Sequence, residues 1–366
     1  MSTRRSAFMR GALFLWLLAP VLLWSAPAPA RSSIAARPVA TGLDLPATFT
    51  FAPNGKIFYG ELLSGEIHLL DPRTGADSLF FNVPEISQRG EQGLLGIALH
   101  PRYPSAPYVY AFATRASSGF ARNEILRIAD RGGRGSELRV LFSAPAREVH
   151  NGGRIAFGPD RNLYVVIGDA GAPWTSQDLN SPSGKVLRMT AAGAVPRTNP
   201  VPGSYVYAYG IRNSFGFAFD RKTGGLWLSD NGPECNDEVN RITPGANYGW
   251  GASATCSSPP NPPRNTNRDG QRPTLPQLWY GQRLAPTGTA FCRSCGLGRS
   301  SAGRLFLGTW RTREIRRVTL GPKRRSVRSH SVVYTHRSGV FSMEAAPNGA
   351  LYFSGQDAIY RLVRSR

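Results

Sequence analysis

One pattern of apolar and polar positions recurs along this chain of 366 residues. Phe51-Ala-Pro-Asn-Gly-Lys-Ile-Phe58 returns as Phe157-Gly-Pro-Asp-Arg-Asn-Leu-Tyr164, as Phe219-Asp-Arg-Lys-Thr-Gly-Gly-Leu-Trp227 and as Ala346-Pro-Asn-Gly-Ala-Leu-Tyr352. Looser copies are Leu99-His-Pro-Arg-Tyr103, leading to Tyr108-Val-Tyr110, and Ser301-Ala-Gly-Arg-Leu-Phe306. Each copy reads as a strand, a tight turn at Pro, Asp, Asn or Gly, and a second strand of alternating aliphatic and aromatic residues. Further strands follow several copies, as in Glu66–Leu70, Glu314–Val318 and Ala358–Leu362.

Six copies at intervals of roughly 40 to 85 residues suit six four-stranded sheets with loop insertions. The fold this predicts is an all-β, six-bladed β-propeller, which protects its sheet edges by radial repetition. A seven-bladed ring with one unrecognised copy and a pair of β-sandwiches are the alternatives. No long apolar pattern of helical period follows the N-terminus, which disfavours alternating strands and helices. The Pro- and Asn-rich stretch 257–276 reads as an irregular insertion between blades.

Composition refines this picture. Gly 40 and Pro 29 are high and scattered, as many turns between short strands require. Arg4, Arg5 and Arg10 precede an apolar run from Gly11 to Trp24 and then Ala28-Pro29-Ala30. That order marks residues 1–30 as a secretory signal, leaving 31–366 as the propeller and predicting export, periplasmic or secreted. The run is short for a membrane span, and no other segment is long and apolar enough to be one. Export permits disulfides, and Cys235, Cys256, Cys292 and Cys295 allow three pairings. Cys235–Cys256 with Cys292–Cys295 is the favoured one; a zinc site is the rival.

The net charge is +21, or +18 once the three arginines of residues 1–30 are set aside. A nucleic-acid partner is not expected, because no recognition motif accompanies the charge. Attraction to an anionic cell envelope, or plain solubility, accounts for it.

Candidate chemistry clusters between His150 and Trp250. His150-Asn-Gly-Gly precedes one strand, Gly168-Asp169-Ala-Gly171 follows another, and Arg212-Asn213 and Asn231-Gly-Pro233 repeat the arrangement. Polar residues at the points where strands enter and leave gather at one mouth of a β architecture. There His150 can act as a base, Arg212 can grip carboxylates, and the carbonyls of the Asn231 turn or the Glu238 carboxylate can hold calcium.

These motifs, together with Glu91-Gln-Gly-Leu-Leu-Gly-Ile-Ala-Leu-His-Pro101, Gly184-Lys-Val-Leu-Arg188 and Asp237-Glu-Val-Asn240 followed by Asn247-Tyr-Gly-Trp250, resemble the soluble PQQ-dependent glucose/sorbosone (aldose sugar) dehydrogenases from about residue 40 onward. Similar domains occur in hedgehog-interacting-like extracellular proteins. The resemblance implies PQQ and Ca2+ at the axial mouth, a sugar substrate and a separate electron acceptor. It implies His150 as the base that takes the sugar's hydroxyl proton while hydride passes to the quinone, and Asp169 as the carboxylate that orients it. Arg212, Asn213, Asn231, Arg311 and Glu91 fall on the cofactor side. Gly232 and Pro233 match carbonyl donors to the cofactor's calcium, and Glu238 and Tyr248 match a structural calcium site.

Three positions depart from the family pattern. Glu91 stands where Gln is common, Arg311 replaces a Lys, and Phe341 occupies the place of a cofactor-binding Arg. Losing one such Arg removes about 1.5–3 kcal/mol per charged hydrogen bond. The alternative to a dehydrogenase is therefore a non-catalytic extracellular propeller binding carbohydrate or protein ligands at the same mouth. A third possibility is a calcium-dependent lactonase or hydrolase.

Overall fold

The structure, a computed structural model, describes residues 34–116, 119–256 and 265–365. The signal expected over residues 1–30 lies outside the described residues. The chain forms six antiparallel four-stranded sheets, each with its strands in sequence order from the axis outward. They span residues 46–82, 94–145, 155–209, 216–280, 286–335 and 342–364. The sixth sheet takes its outermost strand from the other end of the chain, where Ile34–Thr41 pairs antiparallel with Ala358–Arg364. That pairing closes the ring of a six-bladed β-propeller.

All six recurrent turns join the first and second strands of successive blades. An antiparallel meander sends these turns to one face of the ring. It sends the connections between second and third strands, and those between blades, to the other. The only helical element among the described residues is the short 3-10 turn Pro173–Ser176. No helix there is long and apolar enough to cross a membrane.

Six apolar clusters fill the spaces between neighbouring blades. Between the first and second blades, Phe58 packs with Val109 and Leu126. Phe49 and Tyr59 meet Tyr352 and Ile359 where the ring closes. Each fully buried large side chain contributes about 1.5–3 kcal/mol relative to exposure. Near the axis the innermost strands approach so closely that side chains are excluded. A Cβ on Gly96 would strike the Gly153 carbonyl, one on Gly216 the Thr287 carbonyl, and one on Gly288 the Met343 amide.

Both favoured disulfides are present, Cys235–Cys256 with Cα atoms 5.7 Å apart and Cys292–Cys295 with Cα atoms 5.3 Å apart. The insertion, by contrast, is not between blades. It lies inside the fourth blade, between the strands Asp237–Ile242 and Leu278–Tyr280. Its first part forms a parallel bridge to the third blade at Tyr209 and Asn247. Alternation along a strand reports burial and carries no information about which sheet edge a loop follows.

Gly216→Ala is expected to destabilise the ring by about 1–3 kcal/mol, because the obstruction is a backbone carbonyl that no rotamer change moves. Urea midpoints at unchanged slope check this.

Candidate functional site

A cavity of about 670 Å3 opens on the face that collects the inter-blade connections. Glu91, His150, Arg212, Asn213, Asn231 and Gly232 all line it. They come from four connections: Glu91 and His150 lie before the second and third blades, Arg212 and Asn213 before the fourth, and Asn231 and Gly232 inside the fourth.

His150 is the centre of this arrangement. Its backbone sits at φ 57°, a left-handed conformation costly for a residue with a side chain. Its ring Nδ1 lies 2.6 Å from Asp169 Oδ1. Asp169 is fully buried and also accepts the Trp250 indole N–H at 2.7 Å and the Gly171 amide at 2.8 Å. With Asp169 accepting from Nδ1, the ring proton resides there and Nε2 keeps its lone pair. The His150 side chain is 17% exposed, so the ring reaches the cavity while its orienting carboxylate does not.

Glu91 ties two of the connections together. One of its oxygens accepts the His150 amide at 2.7 Å and the Asn213 side-chain amide at 3.0 Å. The Asn213 side-chain oxygen accepts the Gly152 amide at 3.2 Å. Buried Asp230 accepts the amides of Arg212 and Asn213 at 2.9 and 2.7 Å. Burial pushes the Asp230 carboxyl up to about 6, while these two amides act the other way.

The Arg212 guanidinium donates to the Asn231 carbonyl at 3.0 Å and lies over the Trp250 ring at 5.3 Å. Its Nε is buried with no partner. Burial pushes this guanidinium below its ordinary value; Asp169, Asp230, Glu91 and Asp237 oppose the shift. A buried donor left unsatisfied is costly.

Other expected residues take different places. Arg311 lies on the fifth-blade loop, exposed, with its amide bonded to the Leu284 carbonyl at 3.1 Å, and it does not line the cavity. Its neighbour Trp310 does, packed on Phe341 with ring centroids 4.6 Å apart. Pro233 follows Gly232 but is not part of the wall. Glu238 and Tyr248 form a separate buried cluster. Glu238 accepts from the side-chain amides of Asn236, of Asn240 at 2.9 Å and of Asn267 at 3.2 Å. Asn267 also donates to the Tyr248 carbonyl at 2.6 Å. The side-chain oxygens of Asn236 and Asn240 are buried without partners. Burial, then Asp230, pushes the Glu238 carboxyl up to about 8. An oxygen-rich pocket with unused acceptors suits a hard cation.

Three residues of the site were given no role in the sequence: Arg154 and Arg283, which line the cavity, and Trp250, which stands behind its wall against Asp169 and Arg212. Trp250 reaches Asp169 because the insertion rises along the third blade. Arg154 is bound below the cavity to the Phe215 carbonyl at 3.1 Å and to Thr48 at 3.3 Å. Arg283 has its one ion pair at 3.7 Å to the exposed Glu234. It lies two residues before the Ala285 amide, which Asp237 holds at 2.9 Å. The signal for Arg154 lay in the His150-Asn-Gly-Gly-Arg motif itself. Nothing local marks Arg283.

A family model described as Glucose / Sorbosone dehydrogenase matches residues 43–364. Quinoprotein glucose dehydrogenase B of Acinetobacter calcoaceticus is 32% identical over 245 residues, 58% of this chain and 51% of that protein. The aldose sugar dehydrogenase YliI of Escherichia coli is 28% identical over 62% of this chain and 63% of its own length. The chain thus spans about half to two thirds of these curated relatives. A PQQ-bound aldose sugar dehydrogenase from Streptomyces coelicolor superimposes with a TM-score of 0.77 at 31% identity, covering 91% of this chain and 99% of that one.

Glu91→Ala leaves the His150 amide and the Asn213 side chain without an acceptor, an expected loss of about 1–3 kcal/mol of stability. Glu91→Gln keeps one acceptor oxygen and is expected to cost less. Chemical denaturation of both variants checks the order.

Proposed function

The chain belongs to the glucose/sorbosone dehydrogenase family, and on that premise we propose that it is an exported dehydrogenase oxidising aldoses or related alcohols with PQQ and calcium. One observation carries the proposal. His150, oriented by buried Asp169, shares a single axial cavity with Arg212 and Asn213.

A flat tricarboxylate suits the cavity because three arginines line it, Arg154, Arg212 and Arg283. Phe341 carries no charge, but Arg283 presents one with only a long, exposed ion pair to give up. Arg212, Asn213 and Arg283 would hold the quinone, with Asn231 and Glu91 fixing them. The Trp310–Phe341 pair supplies an apolar wall for a ring. The Gly232 and Pro233 carbonyls are the proposed calcium donors beside the cofactor. Gly232 has no room for a Cβ, which would strike the Asn236 carbonyl. Glu238 and the Tyr248 carbonyl would hold a second calcium.

Bound PQQ supplies a hydride acceptor that no side chain can replace. The protein's own part is proton chemistry and positioning. The free Nε2 of His150 accepts the proton of the sugar hydroxyl being oxidised. The charge formed on the imidazole is balanced by Asp169, whose position Trp250 and Gly171 fix. Relatives named as glucose and aldose sugar dehydrogenases support this substrate class. Export is supported by the N-terminal sequence and by the two disulfides.

Reconstitution tests the reading. Purified protein titrated with PQQ and calcium is expected to bind the cofactor and to reduce a dye only when an aldose is present. His150→Ala should lower turnover by about 10²–10⁴-fold while cofactor absorbance still titrates. Absence of PQQ binding would overturn the proposal in favour of a ligand-binding propeller. In the same titration, Arg283→Gln is expected to weaken PQQ binding about tenfold or more, as loss of a charged hydrogen bond requires.

A further inference from the structure

The six recurrent turns lie on the face opposite the mouth, and sugar oxidation gives them no role. They meet at the far end of the axis, around a second cavity of about 490 Å3. Every blade contributes to its wall: Pro53, His100, Phe157, Arg221, Arg293 and Pro347 come from the first to the sixth in order. Glu344, on the innermost strand of the sixth blade, faces the same space.

The two arginines there outnumber the one carboxylate. The side chains of Arg221, Arg293 and Glu344 make no hydrogen bond or ion pair with another described residue. Burial and then the neighbouring Arg221 push the Arg293 guanidinium down to about 10, with Glu344 opposing. Burial pushes the Glu344 carboxyl up to about 7, while Arg154 above and Arg293 below act the other way. His100 adds no charge at neutral pH, because burial and then Arg102 and Arg127 push it down. The half-buried Arg293 and the exposed Arg221 at the rim thus share the cavity with one carboxylate, which Arg154 already counters from the axis side. The Cys292–Cys295 disulfide fixes the loop that carries Arg293. Phe51, Tyr103 and Phe157 give the cavity apolar walls.

We propose that this cavity binds a small hydroxylated organic anion, its carboxylate taken by Arg221 and Arg293 and a hydroxyl donated to Glu344. Paired arginines recognise carboxylates through charge-assisted, bidentate hydrogen bonds. A bound anion relieves the repulsion between the two cations. Glu344, whose carboxyl has no hydrogen-bond partner among the described residues, suits a ligand that carries a hydroxyl. The aromatic walls suit a carbon chain or ring face. The site is independent of the mouth and of the activity proposed for it.

Isothermal titration of the whole protein with D-gluconate at constant ionic strength tests this, with acetate and inorganic phosphate as comparators. Gluconate is expected to bind saturably, one per chain, and more tightly than either comparator. Arg293→Gln and Arg221→Gln should each weaken it about tenfold or more. Glu344→Gln, which removes the like charge and keeps an acceptor, should tighten it. Opposite signs at adjacent positions are not produced by general destabilisation, and unchanged unfolding temperatures without ligand check that the variants fold. No gluconate binding, or binding that survives both arginine substitutions, overturns the proposal. So does binding lost in Arg212→Gln instead, which places the anion in the mouth. Acetate or phosphate binding as tightly as gluconate overturns the hydroxyl contact to Glu344.

Discussion

The close approach of innermost strands around the axis is the constraint from which the remaining structure follows. Side chains are excluded at Gly96, Gly216 and Gly288, where backbone meets backbone of the next blade. Six sheets drawn this near leave only wedge-shaped gaps between them, and the six apolar clusters fill those gaps. The inner edges of the blades are then short and protected by one another, and the Ile34–Thr41 strand completes the last blade from the other end of the chain. A rigid ring can hold loops from different blades at fixed separations. That is what allows an amide on one connection and a carboxylate on another to meet at 2.7 Å.

The mouth is held by carboxylates that mostly do not face the substrate space. Asp169, Asp230 and Asp237 are buried, and each spends its oxygens on backbone amides, on the indole of Trp250 or on the His150 ring. Their work is to fix His150, Arg212 and the backbone after Arg283. This distributes negative charge beneath a layer of cations and donors, an arrangement suited to an anionic cofactor above it. The strained backbone of His150 belongs to the same design, since the ring is turned toward the cavity by a conformation that Asp169 and Glu91 hold in place.

The departures at Glu91, Arg311 and Phe341 gain meaning only when placed. Glu91 is a structural acceptor between two connections, so its charge is used on amides. Arg311 is outside the cavity wall, and Phe341 pairs with Trp310 to form an apolar surface. A cation that does line the cavity is Arg283, a residue with no sequence pattern around it.

The sequence by itself determined the six-fold repeat, its strand-turn-strand units and the grouping of His150, Asp169, Arg212 and Asn213, and it favoured one of three disulfide pairings. These are legible because period-two alternation and turn residues are local properties, and because ordered motifs with Gly, His and Arg leave few alternatives. Only the tertiary structure decided that the insertion after Ile242 climbs the third blade and delivers Trp250 to Asp169. It also decided that Arg283 and not Arg311 lines the mouth, and that the six turns enclose a second charged cavity. Each of these depends on which elements meet across the ring. Contact between residues separated by 80 or more positions, such as Trp250 and Asp169, leaves no mark on the spacing of apolar residues along either segment.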